Sequence, residues 1–212
     1  MKRKSALLVM AFIGASALLP GCEKISKSAN SGAGSPNAAG SKKSSEPEPD
    51  YAKQNADANV KYAGKAMQDE DYDRAERALL AALHQVEGYP GQEGRQAEIL
   101  NNLAAVYEQK EMYAQCIPLL NKAQKLFIRA YGRKFSGVYI TLGNMGRVLG
   151  KQQRWQEAAQ VYQTAIDLME ETKQTSAPMY KSLLENGFSA WQKAGNAHKA
   201  EALGAKLKKL HG

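Results

Sequence analysis

The amino-acid sequence predicts an all-α, right-handed solenoid of about four helical hairpins over residues 51–212, carried behind an exported, non-globular N-terminal region. Three observations predict it. A charge-free apolar run fills residues 6–19, directly after a basic start. Residues 23–49 then hold Ser, Ala, Gly, Asn, Pro, Lys and Glu, with Ile25 the only large aliphatic side chain. From Tyr51 onward, helix-forming residues carry small and bulky side chains that recur at nearly constant spacing. A chain of 212 residues is long enough for one ordinary domain or two small ones, so a disulfide-stapled mini-protein is excluded.

Lys2, Arg3 and Lys4 followed by the 14-residue apolar run 6–19 form the basic and apolar regions of a secretory signal. The run is too short to cross a bilayer core, which takes ~20 apolar residues. Leu19-Pro20-Gly21-Cys22 resembles a bacterial lipobox, in which the cysteine thiol receives diacylglycerol and the peptide is cut before it. The resemblance implies a signal peptide over residues 1–21, a lipid-bearing (palmitate-type) Cys22 as the mature terminus, and Glu23 after it. With no aspartate following the cysteine, it implies the outer membrane, facing the periplasm, if two membranes are present. A general secretory signal with an unmodified cysteine is the alternative.

Residues 22–50 read as the lipidated cysteine and a linker, because their composition cannot bury enough apolar surface to offset the entropy of ordering. As a flexible coil the linker would reach about 30 Å. Removing the three basic residues of the signal lowers the formal charge from +8 to +5. Export, that small excess and the lack of aromatics interleaved with basic residues argue against a nucleic-acid partner.

The repeat fixes the rest. Asp71-Tyr72-Asp73-Arg74-Ala75 aligns with Met112-Tyr113-Ala114-Gln115-Cys116, with Arg154-Trp155-Gln156-Glu157-Ala158 and with Asn196-Ala197-His198-Lys199-Ala200. Ala82, Ala123, Ala165 and Leu207 keep the register seven residues on. Upstream, Leu100, Leu103, Ala104 and Tyr107 recur as Leu142, Met145, Gly146 and Leu149, and again as Leu184, Gly187, Phe188 and Trp191. Steps of three, four and seven put each set on one helical face, so every unit is a pair of amphipathic helices. Small residues let the backbones approach, while Tyr72, Tyr113 and Trp155 sit at the turn between paired helices.

This arrangement resembles the tetratricopeptide repeat, in the longer form found in kinesin light chains and their bacterial relatives. Residues 100–107, reading Leu-Asn-Asn-Leu-Ala-Ala-Val-Tyr, and residues 116–123, reading Cys-Ile-Pro-Leu-Leu-Asn-Lys-Ala, carry it best. Pro118 is expected near the start of its helix, where a missing N–H has little to lose. The residues beyond the usual ~34 are expected after the second helix. Terminal units that depart from the pattern suit solenoid caps.

Catalytic and metal chemistry find little support. Cys116 fills a slot held elsewhere by Ala75, Ala158 and Ala200 and reads as a small buried hydrophobe. His84, His198 and His211 have no partners at metal-ligand spacing. The acidic turn at residues 69–73 lacks the ligand spacing of a calcium loop. The reading is therefore a non-enzyme with no cofactor beyond the covalent lipid on Cys22. Lys206, Lys208 and Lys209 make the last helix basic, which suits either an anionic surface or a polar cap.

Asn102, Asn144 and Asn186 recur at intervals of 42, each just before a leucine-type packing position. Asparagine has no helix-forming advantage there, and its amide can both donate and accept. In the family resembled, first helices line a concave groove whose asparagines contact peptide ligands, which implies that role here. The same faces add Gln109, Arg147, Lys151 and Lys193, the cations favouring acidic side chains. Alternatively, the asparagines bridge adjacent first helices as structural links. The chain thus reads as an envelope lipoprotein that scaffolds a protein or peptide partner through its groove. The alternative is a structural subunit or assembly factor of a secretion, pilus or cell-wall complex that uses its outer faces. Partner identity and oligomeric state are left open.

Overall fold

The computed structural model describes residues 49–210, with side chains from Gln54 onward. The signal peptide, Cys22, the linker up to residue 48 and His211 lie outside the described residues. Over the described residues the fold is an all-α solenoid of eight helices: α1 Pro49–Gln68, α2 Tyr72–Val86, α3 Glu93–Gln109, α4 Tyr113–Tyr131, α5 Ser136–Lys151, α6 Trp155–Glu171, α7 Pro178–Lys193 and α8 Ala197–Lys209. The first begins two residues before Tyr51, and the second helices begin at the aligned Tyr72, Tyr113, Trp155 and Ala197.

Each hairpin turn has three residues, and all four turns close in the same way. Glu70, Glu111, Gln153 and Gly195 adopt φ between 58° and 77°. The next amide then donates back into the first helix: Asp71 to Ala66 O, Met112 to Tyr107 O, Arg154 to Leu149 O and Asn196 to Trp191 O, at 2.8–3.0 Å. This is the Schellman closure, which satisfies helix-end carbonyls. Only the last turn uses glycine, so the other three hold a side chain in left-handed backbone that the closure must support. Asp71 and Asn196 also cap the following helices by accepting from the amides of Arg74 and Lys199.

Connectors from one unit to the next, residues 87–92, 132–135 and 172–177, are longer, and α4 has 19 residues, so the excess over the usual period does fall after or within the second helix. Pro118 differs from expectation. It lies inside α4, where the Ala114 carbonyl would otherwise receive an amide. Ala114 is exposed, so water can reach that carbonyl and the helix continues.

Packing is between consecutive helices throughout. In addition α3 touches α5 and α5 touches α7, whereas no second helix makes comparable contact with the next second helix. The array therefore curves with first helices on the inside. Ala75, Cys116, Ala158 and Ala200 are all buried against the first helices, as are Ala82, Ala123 and Ala165, while Leu207 is half-buried. A Cβ at Gly146 would stand 2.7 Å from the ring of Tyr162, because that ring lies flat on the α5 backbone. Gly146→Ala is therefore expected to lower stability by about 1–3 kcal/mol through overpacking. Denaturant titration checks it, and an unchanged midpoint would mean that the ring has room to move.

Candidate functional site

The inner surface is built from one face each of α3, α5 and α7. On it the asparagines do not form one row of free amides. Asn144 Nδ2 donates to Asn101 Oδ1 at 3.0 Å, and both residues are buried. Asn101, one residue before the expected Asn102, is thus the partner across the helix pair, and this link is the structural bridge between first helices. Asn102 is half-buried, and Asn186 is exposed, donating to Ser182 Oγ at 3.3 Å.

Arg147 is also committed. Its Nε and Nη2 donate to Glu108 Oε1 and Oε2 at 2.7 and 2.6 Å, and only 4% of the Glu108 side chain is exposed. Burial disfavours the charged guanidinium, but Glu108 outweighs it and holds Arg147 above its ordinary pKa. The pair is neutral overall, so Arg147 offers no free charge to a ligand. One unit earlier Lys110 plays the same part, donating to Asp73 and Glu76 at 2.7 and 2.6 Å, while the Tyr107 hydroxyl donates to Glu76 at 3.0 Å. Gln109 is half-buried beside these groups.

Toward the C-terminal ends of α5 and α7 the surface opens into a pocket of about 270 Å³. Arg147, Lys151, Asn186 and Lys193, four of the residues singled out by the repeat, line it together. Trp155 and Tyr162 of α6 form its aromatic wall. Lys193 Nζ stands 4.1 Å from the centroid of the Trp155 ring, a cation–π contact that holds the ammonium at the rim. Lys151 is exposed and makes no ion pair among the described residues. Burial pushes the Tyr162 hydroxyl above its ordinary pKa, so the ring stays neutral. Among the described residues no acidic side chain lines the pocket, which leaves two ammonium groups without a carboxylate against an aromatic wall. A second recess near Phe127, Phe135 and Ile140, at about 20 Å³, has room for a water but for no side chain.

Trp155, Tyr162, Glu108 and Asn101 are the site residues that the repeat analysis did not select. Trp155 is also the turn cover that the repeat predicts, since Gly150 lies against its ring. Cys116 is buried, and desolvation pushes its thiol up to about 11. Among the described residues no group of three or more His, Cys, Asp or Glu side chains could hold a metal ion, and no helix is long and apolar enough to cross a membrane.

Comparison with known proteins agrees with this geometry. Residues 95–171 match the family model of the tetratricopeptide repeat. No curated protein sequence matches the chain significantly. Among solved structures, the fold is similar to BtubC (BKLC) from P. vanneervenii, with a TM-score of 0.67 at 19% identity over 74% of this chain; the match spans only 63% of BtubC. It is similar to kinesin light chain TPR-like repeats from Podosopora anserina, with a TM-score of 0.64 at 13% identity over 77% of this chain and 76% of that one. It is also similar to Pseudomonas aeruginosa PilF, with a TM-score of 0.51 at 21% identity over 74% of this chain and 61% of that one. Residues 95–171 thus match tetratricopeptide repeats, and the helical pairs on either side continue the same solenoid, a scaffold suited to protein–protein interaction.

Proposed function

We propose that this chain is a lipid-anchored envelope protein that binds an extended, acidic segment of a partner protein along its concave face, by binding alone and without catalysis. One observation carries the reading: Lys151 and Lys193 converge with Asn186 and Ser189 on a pocket that has an aromatic wall and no acidic lining. An aspartate or glutamate side chain would find two ammonium donors there, and its stem would lie on Trp155 and Tyr162. Asn186, exposed beside them, can exchange its bond to Ser182 for one to the partner's backbone. The interior of the site is already neutral and hydrogen-bonded, so an entering carboxylate would meet no competing anion.

Peptide display against the chain, followed by titration of the enriched peptides, tests the binding reading. The selected segments should be acidic, and Lys151→Ala with Lys193→Ala should weaken them at least about tenfold, since each charge-assisted contact contributes roughly 1.5–3 kcal/mol. Selection of neutral or basic segments, or undiminished binding by the double variant, would contradict it. The anchor is tested separately. Cys22→Ser should move the protein from the membrane fraction to the soluble fraction, and its retention in the membrane would contradict lipid attachment.

A further inference from the structure

The longest acid-free stretch of the chain crosses the middle of the solenoid. Between Glu111 and Glu157 there is no Asp or Glu, while eight Lys and Arg residues fall inside that stretch. Arg147 is paired with Glu108, Arg154 with Glu157, and Lys151 lines the inner pocket. The other five, Lys122, Lys125, Arg129, Arg133 and Lys134, belong to α4 and the connector behind it, and all are exposed.

Helical geometry places them on the outside. α4 buries Cys116, Leu120, Ala123 and Phe127. At 3.6 residues per turn, Lys122, Lys125 and Arg129 point within about 60° of one another and opposite that buried row. Along the axis Lys122, Lys125 and Arg129 span roughly 10 Å, and Arg133 and Lys134 follow in the connector. One apolar side chain flanks this row: Ile128, 40% exposed and one turn from Lys125. Tyr131 points the other way, its ring against Phe135 at a centroid distance of 4.4 Å and on Gly94 of α3. The bordering acids are Glu87, paired with Lys122 at 3.3 Å, and Glu171, paired with Lys134 at 3.0 Å and near Arg133. Both pairs are well exposed, so neither holds its cation firmly. Lys125 and Arg129 make no ion pair among the described residues.

We propose that the outer face of α4 and the following connector docks on the anionic phospholipid headgroups of a bilayer. Five cations against two carboxylates give the face a net positive charge, and neither pocket described above includes any of the five. A line of charge without concavity suits a plane of headgroups. Lys and Arg stems would lie along the surface while Ile128 enters its upper layer. An acidic protein would be matched in charge but would leave the exposed Ile128 without a role. Docking through the outer face also leaves the Lys151–Lys193 pocket facing away from the membrane. It needs no covalent lipid and is independent of what the pocket binds.

The two core clusters begin at Ala97 and Ala56, so residues 23–212 retain every buried contact described and can be tested without the apolar leader or Cys22. This chain is floated with vesicles of phosphatidylcholine alone or mixed equally with phosphatidylglycerol. It should float only with the mixed vesicles and be released by salt. Replacing Lys125, Arg129 and Arg133 with glutamine should lower vesicle affinity about tenfold or more with unchanged helicity, whereas Lys208→Gln with Lys209→Gln should leave it unchanged. Equal binding to neutral vesicles, or release by the Lys208 and Lys209 variant instead, would overturn the proposal. So would a chain that ignores vesicles but binds poly-L-glutamate through the three cations, which would make the face a protein-docking surface.

Discussion

Glu108→Ala should destabilise the protein by about 3 kcal/mol, because it leaves the Arg147 guanidinium facing the interior with no counter-charge. The carboxylate is 4% exposed and accepts both hydrogen bonds of a bidentate pair that joins α3 to α5. Removing it forfeits the attraction while keeping most of the desolvation cost of the cation. Arg147 retains 28% of its side-chain exposure, which places the effect at the lower end for broken buried pairs. Glu108→Met combined with Arg147→Met removes both charges and should recover most of the loss. Urea denaturation of the two single variants and the double variant gives the coupling. If the single variants unfold at the parent midpoint, the pair is solvated and contributes nothing to the join between units.

Trp191→Ala should cost about 3–5 kcal/mol, and the damage should be local. The indole is fully buried and its Nε1 has no hydrogen-bond partner among the described residues, so the loss is one of volume and contact, with the Lys199 cation–π contact at 4.3 Å removed as well. Trp191→Phe keeps most of that volume and should cost much less. In a solenoid each unit leans on its neighbours only, so α7 and α8 should open first while α3–α6 keep their protection. Hydrogen exchange resolved by segment checks this. A uniform loss of protection along the whole array would show that the chain unfolds as one cooperative block.

The paired helices were legible because their small residues repeat. Ala75, Cys116, Ala158 and Ala200 fall on the same turn of each second helix and are buried there. Pattern alone could not give the turns, since Glu70, Glu111 and Gln153 are not residues that ordinarily mark left-handed backbone. Nor could it separate Asn101 from Asn102, as neighbouring residues on a helix differ by only ~100° and either could face the next first helix. Glu108 was invisible for another reason. A charged residue in a helical pattern reads as solvated, and its burial follows only from Arg147, whose partner lies 39 residues away. The pocket was half legible: its cations and Asn186 followed from the repeat, but Trp155 reads there as a turn cover and nothing in the repeat singles out Tyr162.

Binding of an acidic segment at the inner pocket can be watched directly, because the chain has two tryptophans and they lie in opposite environments. Trp155 walls the pocket beneath Lys193, whereas Trp191 is fully buried elsewhere. An acidic extended peptide should displace Lys193 from the Trp155 ring and change that residue's emission saturably. A charge-reversed peptide should leave it unchanged, and Lys151→Ala with Lys193→Ala should abolish the response. An emission change that survives in the double variant, or one produced equally by the basic peptide, would contradict recognition of acidic segments at this pocket.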